Sequence, residues 1–436
     1  MLQTVKNAWK LPELRNKILF TIFILIVFRF GSVLSVPFVD SSILKEAFAR
    51  HTSGTILDYF NMLSGEAFSR ATLFALSISP YITAQIVIQL LTIAIPALER
   101  MAKEGDEGRK KLSQITRYVT VALALVTAYG YYTYIKNTAG MAIQHDGVNE
   151  HFAAAVIIAC YCAGAAIIMW LAEKINEKGI GNGISIILLA NIVSRVPNNI
   201  IVAGRNLFTN FKLTTLIADI LLVVIAVATV LFVVHMSDAE RRVPVQYAKR
   251  QVGRRMYGGQ NTYLPLKLNM TGVMPIIFAS SIVTLPSTIG LMVGKDSTSG
   301  GFWGGFLKLF SYTSPIYSIL FFILIIAFAY FYISISFNPI EVANNLKKNG
   351  GSILGIRPGK PTSDFITRIL SRITLIGAIF LGIIAVLPIV LTMIDQSFGS
   401  LAFAGSSIII VVGVVVETQT EIETQMSMRH YKGFLE

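Results

Sequence analysis

Apolar runs of about twenty residues recur ten times along the chain, at roughly 18–36, 73–95, 116–135, 152–172, 184–204, 213–235, 271–292, 316–337, 373–394 and 400–417. That length matches the ~20 residues a helix needs to cross a hydrocarbon core about 30 Å thick. Lipid offers the backbone no hydrogen-bond partners, so each run must satisfy its own backbone groups, and the helix does this within one segment. The pattern predicts an all-α, polytopic membrane protein with about ten transmembrane helices. A composition of 54% hydrophobic and 14% charged residues excludes an ordinary soluble globule.

The loops alternate in charge. Basic residues gather before the first run (Lys6, Lys10, Arg15, Lys17) and then in every second loop: 100–111, 174–178, 241–267 and 347–372. The intervening loops are poor in Lys and Arg, and 137–151 and 395–399 beyond Lys136 carry none. The positive-inside rule then puts both termini in the cytoplasm, in agreement with an even number of spans. The net charge of +13 is therefore a cytoplasmic face. Ten spans divide five and five near residue 210, giving halves 1–210 and 211–436. Duplicated halves are common in transport folds, although no repeat is visible in the residues. The first run is too long for a cleavable signal peptide, and no small-residue cleavage site follows it.

Chemistry-bearing motifs are missing. Gly355 to Pro361 has neither the spacing nor the Ser/Thr of a phosphate loop, and the glycines at 179–183 follow a membrane run rather than a strand. The histidines are isolated, so no metal or cofactor is expected. Cys160 and Cys162 lie two apart on a helix and point in different directions, as small core residues. Arg29, Arg195 and Asp219 lie away from the middles of their runs. Snorkelling or local pairing accounts for them, with a proton relay as the sharper alternative. The alanines and Gly164 within 153–166 predict close helix packing.

The stretch Gly54 to Ile95 is the most informative. Thr55 and Asp58 form a helix start signal, Ile56, Tyr59, Phe60 and Leu63 share one face, and Gly65 supplies a stop. Such a helix is about 14 Å long, too short to cross a membrane. In the run that follows, helical spacing puts Ile78, Ile82, Gln85, Gln89 and Thr92 on one stripe. This suits either a helix lining a water-filled path with a dry waist or polar glue between helices. The loop 237–269 carries seven basic residues, Arg241, Arg242, Lys249, Arg250, Arg254, Arg255 and Lys267, interleaved with Tyr247, Tyr257 and Tyr263. Orientation alone does not need so many, which points to docking of RNA, acidic protein or anionic lipid. Pro358-Gly359 fits the centre of a type II turn with Arg357 and Lys360 at its corners.

Several motifs carry a resemblance: ERRVPVQYAKRQVGRR with LPLKLN, IGNGISI, FNMLSG with SPYITAQIVIQLL, EGRKKLSQITRY, and FNPIEVANNLKKNGG with GIRPG. Together they resemble the SecY/Sec61-alpha family of protein-conducting channels, over most of the length from about Val27 into the last run. The resemblance implies an hourglass of two pseudo-symmetric five-helix halves in the bacterial cytoplasmic membrane. Secretory precursors with signal sequences would cross it, and transmembrane segments would leave sideways between spans two and seven. Carried over by motif, the apolar pore ring is Ile78, Ile82, Leu188, Ile277 and Ile410, with Leu188 departing from an all-isoleucine ring. The short helix at 56–64, with Ile56, Tyr59, Phe60 and Leu63, corresponds to the plug. Thr83, Gln89 and Asn269 are the polar residues expected to hold the side exit closed. The family implies SecE and SecG as subunits. It also implies the SecA ATPase or the ribosome, with its RNA, on the basic loops and on the turn at Arg357 and Lys360. It implies no enzyme activity and no cofactor. The competing reading, an ion-coupled solute transporter, requires ionisable groups at mid-depth on broken helices. An intramembrane hydrolase requires a nucleophile–base or paired-Asp site, and the runs contain none.

Overall fold

The computed structural model describes residues 2–51, 61, 63–144, 149–209, 213–247, 250–252, 255–257, 261–292, 302–311, 314–394 and 399–432. The first half runs α1 (Leu2–Lys10), α2 (Pro12–Gly31), α3 (Ser41–His51), α4 (Ser79–Ala94), α5 (Pro96–Lys103), α6 (Asp106–Thr138), α7 (Glu150–Lys178) and α8 (Gly183–Thr209). It continues through α9 (Leu213–Asp238), β1 (Glu240–Tyr247), β2 (Arg250–Val252), β3 (Arg255–Tyr257) and β4 (Asn261–Lys267). Then come α10 (Met274–Met292), α11 (Phe302–Leu309), α12 (Pro315–Ser336), α13 (Pro339–Lys348), β5 (Gly351–Ile353), α14 (Lys360–Ile394) and α15 (Gly399–Lys432).

Each of the ten apolar runs carries a helix. Several helices exceed their runs because polar turns extend them beyond the apolar stretch: α6 has 33 residues, α14 has 35 and α15 has 34. Among the described residues, Glu150–Lys178, Pro315–Lys348 and Lys360–Leu387 are each apolar and long enough to cross a membrane. Their apolar residues do not all turn inward. On α2, Thr21, Ile24, Phe28 and Gly31 are buried, whereas Phe23, Ile26 and Phe30 are exposed. Such an outward apolar face has lipid as its solvent.

Two boundaries differ from the sequence expectation. The second run was read as one helix from Leu73, but α4 begins only at Ser79 and has 16 residues. Residues 73–77 are drawn off into other contacts. The Leu73 amide donates to the Leu34 carbonyl (2.8 Å), and Ser77 adopts φ +53°, which no right-handed helix accommodates. The carbonyl of Leu73 also lies where a Cβ on Gly164 of α7 would stand, at 2.0 Å, so Gly164 is required for this close approach. At its other end α4 meets α5 at a bend of 102°. Ile95, the residue before Pro96, is extended (φ −109°, ψ 114°), as the proline ring demands. The seventh run likewise begins at Met274 rather than 271, which leaves Asn269 in the connection before α10.

The basic loop 237–269, read from sequence without secondary structure, folds as strands. β1 pairs antiparallel with β4, from Glu240↔Lys267 to Gln246↔Asn261, and with β5 through Val245↔Ile353. Val243 and Val245 point inward with Leu266 and Ile353 onto Ile366, Leu370 and Ile373 of α14. Arg242, Pro244 and Gln246 point outward, the period of two expected of a strand covered on one face. Cys160 and Cys162 are unbridged.

Candidate pore constriction and side opening

The five residues expected to form the constriction come from widely separated parts of the chain and meet in one core. Ile82 projects from α4, Leu188 from α8, Ile277 from α10 and Ile410 from α15, while Ile78 sits at the residue capping α4. All are almost fully buried, between 1% and 3% exposed, and Leu63 joins the same cluster. A contiguous apolar contact of this kind excludes water and hydrated ions and makes no specific bond to anything that parts it. Leu188 is as buried as the isoleucines, so the one departure from an all-isoleucine set leaves the cluster apolar.

Beside this cluster lies a cavity of about 100 Å³. It is lined by Ile82, Leu188, Ile277, Ile410 and Leu63, by Ser79, Pro80 and Thr83 of α4, by Ser280, Ser281, Thr284 and Thr288 of α10, and by Thr127 and Tyr131 of α6. The polar lining is turned on itself. Ser280 and Ser281 both donate to the Ile277 carbonyl (2.8 Å each), Thr284 to Ser281 (2.9 Å), Thr288 to Thr284 (3.1 Å) and Thr83 to Ser79 (3.1 Å). Each of these five hydroxyls is satisfied by a carbonyl of its own helix, so none of the five bonds across the α4–α10 seam.

The residues expected to hold the seam by polar contact are placed differently from one another. Thr83 lines the cavity. Gln89 lies further along α4, where its backbone carbonyl accepts from Thr92 (2.6 Å) and its side-chain oxygen is buried without a hydrogen-bond partner. Asn269 accepts from Thr271 (3.3 Å) within its own connection. The three are not brought into one cluster.

Of the short helix expected at 56–64, Ile56, Tyr59 and Phe60 lie outside the described residues, and Leu63 is helical and buried. Gly65 has φ +64°, the left-handed stop expected of it. The end of this segment is held by a polar cluster that sequence reasoning missed. The Leu63 carbonyl accepts from Asn191 Nδ2 of α8 (2.7 Å) and from Ser77 Oγ (3.1 Å). Glu66 pairs with Arg70 (2.7 Å) and lies 3.8 Å from Arg195 of α8. Arg195 is thus locally paired, one of the two bland readings given for it. The available signal was the spacing Leu188, Asn191, Arg195, which puts an amide and a cation on the helix face that carries a constriction residue.

On the polar side of the protein, Arg241 and Arg242 are exposed on β1, and Arg242 pairs with Glu240 (2.7 Å). Arg250 and Arg255 fall on β2 and β3, and Lys249 and Arg254 lie outside the described residues. Arg357 and Lys360 are both exposed, and Gly359 between them has φ +106°, the sign a type II turn requires at that position. Thr362 Oγ1 donates to the Arg357 carbonyl (2.9 Å) and ties the turn to the first residues of α14. Among the described residues no cluster of His, Cys, Asp and Glu has the geometry of a metal site.

The family model that matches this chain is SecY, over residues 72–419. The chain belongs to the SecY family. It is 40% identical to the protein translocase subunit SecY of Streptomyces galbus, 41% to that of Streptomyces coelicolor and 40% to that of Mycobacterium bovis, each over the full length of both chains. Among solved structures it is similar to a protein-conducting channel (TM-score 0.68, 18% identity, 94% of this chain and 92% of that one). It is also similar to Sec61 in a canine ribosome–channel complex (TM-score 0.62, 17% identity, 94% and 92%). The SecY family is one of protein-conducting channels, and this chain is a multi-pass membrane channel of that family, not an enzyme.

Proposed function

We propose that this channel passes unfolded secretory polypeptides across the bacterial cytoplasmic membrane and releases transmembrane segments sideways into it. Both termini and the basic loops face the cytoplasm, and residues 1–210 and 211–436 act as two halves around the pore. The observation that carries this reading is the meeting of Ile78, Ile82, Leu188, Ile277 and Ile410 in one buried apolar core, four of them (Ile82, Leu188, Ile277 and Ile410) also lining the α4–α10 cavity. In this reading the five side chains are the pore ring, the segment 56–64 is the plug, and the α4–α10 seam is the side exit. The solute-transporter alternative draws no support, because among the described residues lining the cavity there is no Asp, Glu, His, Lys or Arg.

SecE and SecG are the proposed partner subunits. The proposed docking surface for SecA or the ribosome comprises β1 to β4 and the turn at Arg357 and Lys360, with anionic lipid or ribosomal RNA as the charged counterpart. A turn with a fixed backbone presents its charges with little ordering cost. Arg357→Glu is therefore expected to reduce SecA-driven translocation strongly, and Lys347→Glu, on exposed α13, much less. Equal loss from the two would remove the special role of the turn.

The test of the ring is conductance. Ile82→Ser combined with Ile277→Ser would put hydroxyls into the dry cluster, and resting ion conductance in planar bilayers should rise severalfold or more. A double variant as tight as the parent would show that the constriction lies elsewhere.

A further inference from the structure

We propose that Asn191, Ser77 and the Glu66–Arg195 pair form a polar latch that sets how readily this channel opens. The inference rests on the plug reading and adds residues to it. The described end of the segment, Asn61 and Leu63 to Arg70, is fixed on two levels. Internally, Asn61 Oδ1 accepts from the Ser69 amide (3.0 Å), Ser64 Oγ donates to the Asn61 carbonyl (3.0 Å), and Ser64 Oγ accepts from the Phe68 amide (3.0 Å). These bonds make the turn a rigid unit. At its far end the turn is anchored on α3 and α6, where Phe68 packs against Phe48, Tyr131 and Tyr134 and its carbonyl accepts from Tyr131; nearer the plug its polar ties run to α8. Asn191, fully buried, donates to the Leu63 carbonyl at 2.7 Å across 128 residues of sequence, and to Ser77 Oγ at 3.3 Å. Arg195, one turn further along α8, faces Glu66 at 3.8 Å.

Two features make this a device for closure rather than general packing. Asn191 lies one turn from Leu188, so the helix that contributes to the ring also grips the plug's end, and displacement at the ring is felt at the latch. The grip is also directional: the turn stays seated at Phe68 while breaking the Leu63 and Glu66 contacts frees its plug-side end from α8. A closed state favoured over an open one by only a few kcal/mol responds measurably to the loss of one buried hydrogen bond.

The test compares full-length variants in cells for export of a precursor with a weakened signal sequence, and in planar bilayers for resting conductance. Asn191→Leu keeps the volume and removes the donor; export of the weak-signal precursor should rise about fivefold. Ser77→Ala, which removes one of the two donors to Leu63, should act in the same direction to a smaller extent. Glu66→Gln and Arg195→Gln should each loosen the latch, and the double variant should add less than the sum of the two, as expected for a coupled pair. Misfolding would lower export of normal and weak-signal precursors together, so a selective gain separates release of the latch from structural damage. The Ile82→Ser/Ile277→Ser channel serves as the reference. If it conducts while Asn191→Leu, Ser77→Ala and Arg195→Gln all behave as the parent does, the latch is refuted and the ring stands. If the ring variant stays tight, the pore reading itself fails.

Discussion

The end of the segment proposed as the plug and the α4–α10 seam border the same cavity but are closed in opposite ways. At the first, backbone and side chains of different elements bond to one another: Asn191 and Ser77 to Leu63, Arg195 to Glu66. At the second, Ser280, Ser281, Thr284, Thr288 and Thr83 each return their proton to a carbonyl of their own helix, and the surfaces meet by packing. Interhelical hydrogen bonds within membranes contribute about 0.6–2 kcal/mol each. Dispersion and lipid contact can be exchanged for contact with an arriving apolar segment at little net cost, because lipid chains are as apolar as the helix surfaces. The difference separates a polar hold, which must be broken, from an apolar seam, which can be refilled by whatever enters it.

The sharpest way to break this contrast is to make the seam as bonded as the latch. A crosslink between cysteines introduced at Thr83 of α4 and Ser281 of α10, both of which line the cavity, should abolish side release of transmembrane segments. A reducible crosslinker should allow recovery on reduction. Release that continues through a bridged seam would mean that segments leave by another path.

A smaller effect is expected from weakening the latch through its backbone. A Cβ on Gly65 would stand 3.1 Å from both Asn191 Oδ1 and Ser194 Oγ, at φ +64°. Gly65→Ala should therefore cost about 1–2 kcal/mol in left-handed backbone strain alone. It should raise weak-signal export in the same direction as Asn191→Leu. Unchanged export would show that the turn shifts without loosening its hold.

The smallest change is expected at the seam hydroxyls. Thr83→Val and Thr284→Val remove bonds internal to one helix, so the hydrophobicity threshold for side release should move by less than about 0.5 kcal/mol. A graded Leu/Ala insertion series measures this. A larger displacement would reveal cross-seam bonding by these threonines and erase the contrast with the latch.

Much of this organisation was legible in the residues. The ten apolar runs and alternating basic loops determined a helical membrane protein, because backbone satisfaction in lipid permits little else. Gly65 marked a real break, since φ constraints act locally. The stripe at Ile78 and Ile82 was visible from helical spacing, whereas its convergence with Leu188, Ile277 and Ile410 rested on resemblance, because periodicity on one helix does not say which helices adjoin it.

Other features were decided only in three dimensions. The basic loop became strands because Val243 and Val245 found Leu266, Ile353 and the side of α14 to cover them, and an isolated short alternation cannot announce its cover. Residues 73–77 left the helix their composition favoured because pairing with Leu34 and seating against Gly164 competed with it. The spacing of Leu188, Asn191 and Arg195 marked a polar face on α8 but could not name its partner: an amide on a membrane helix and a backbone carbonyl 128 residues away carry no mutual pattern. Local rules determine where a segment can be helical and which side must be dry. Which dry sides meet, and which polar atoms are thereby forced to find each other, is a property of packing the whole chain at once.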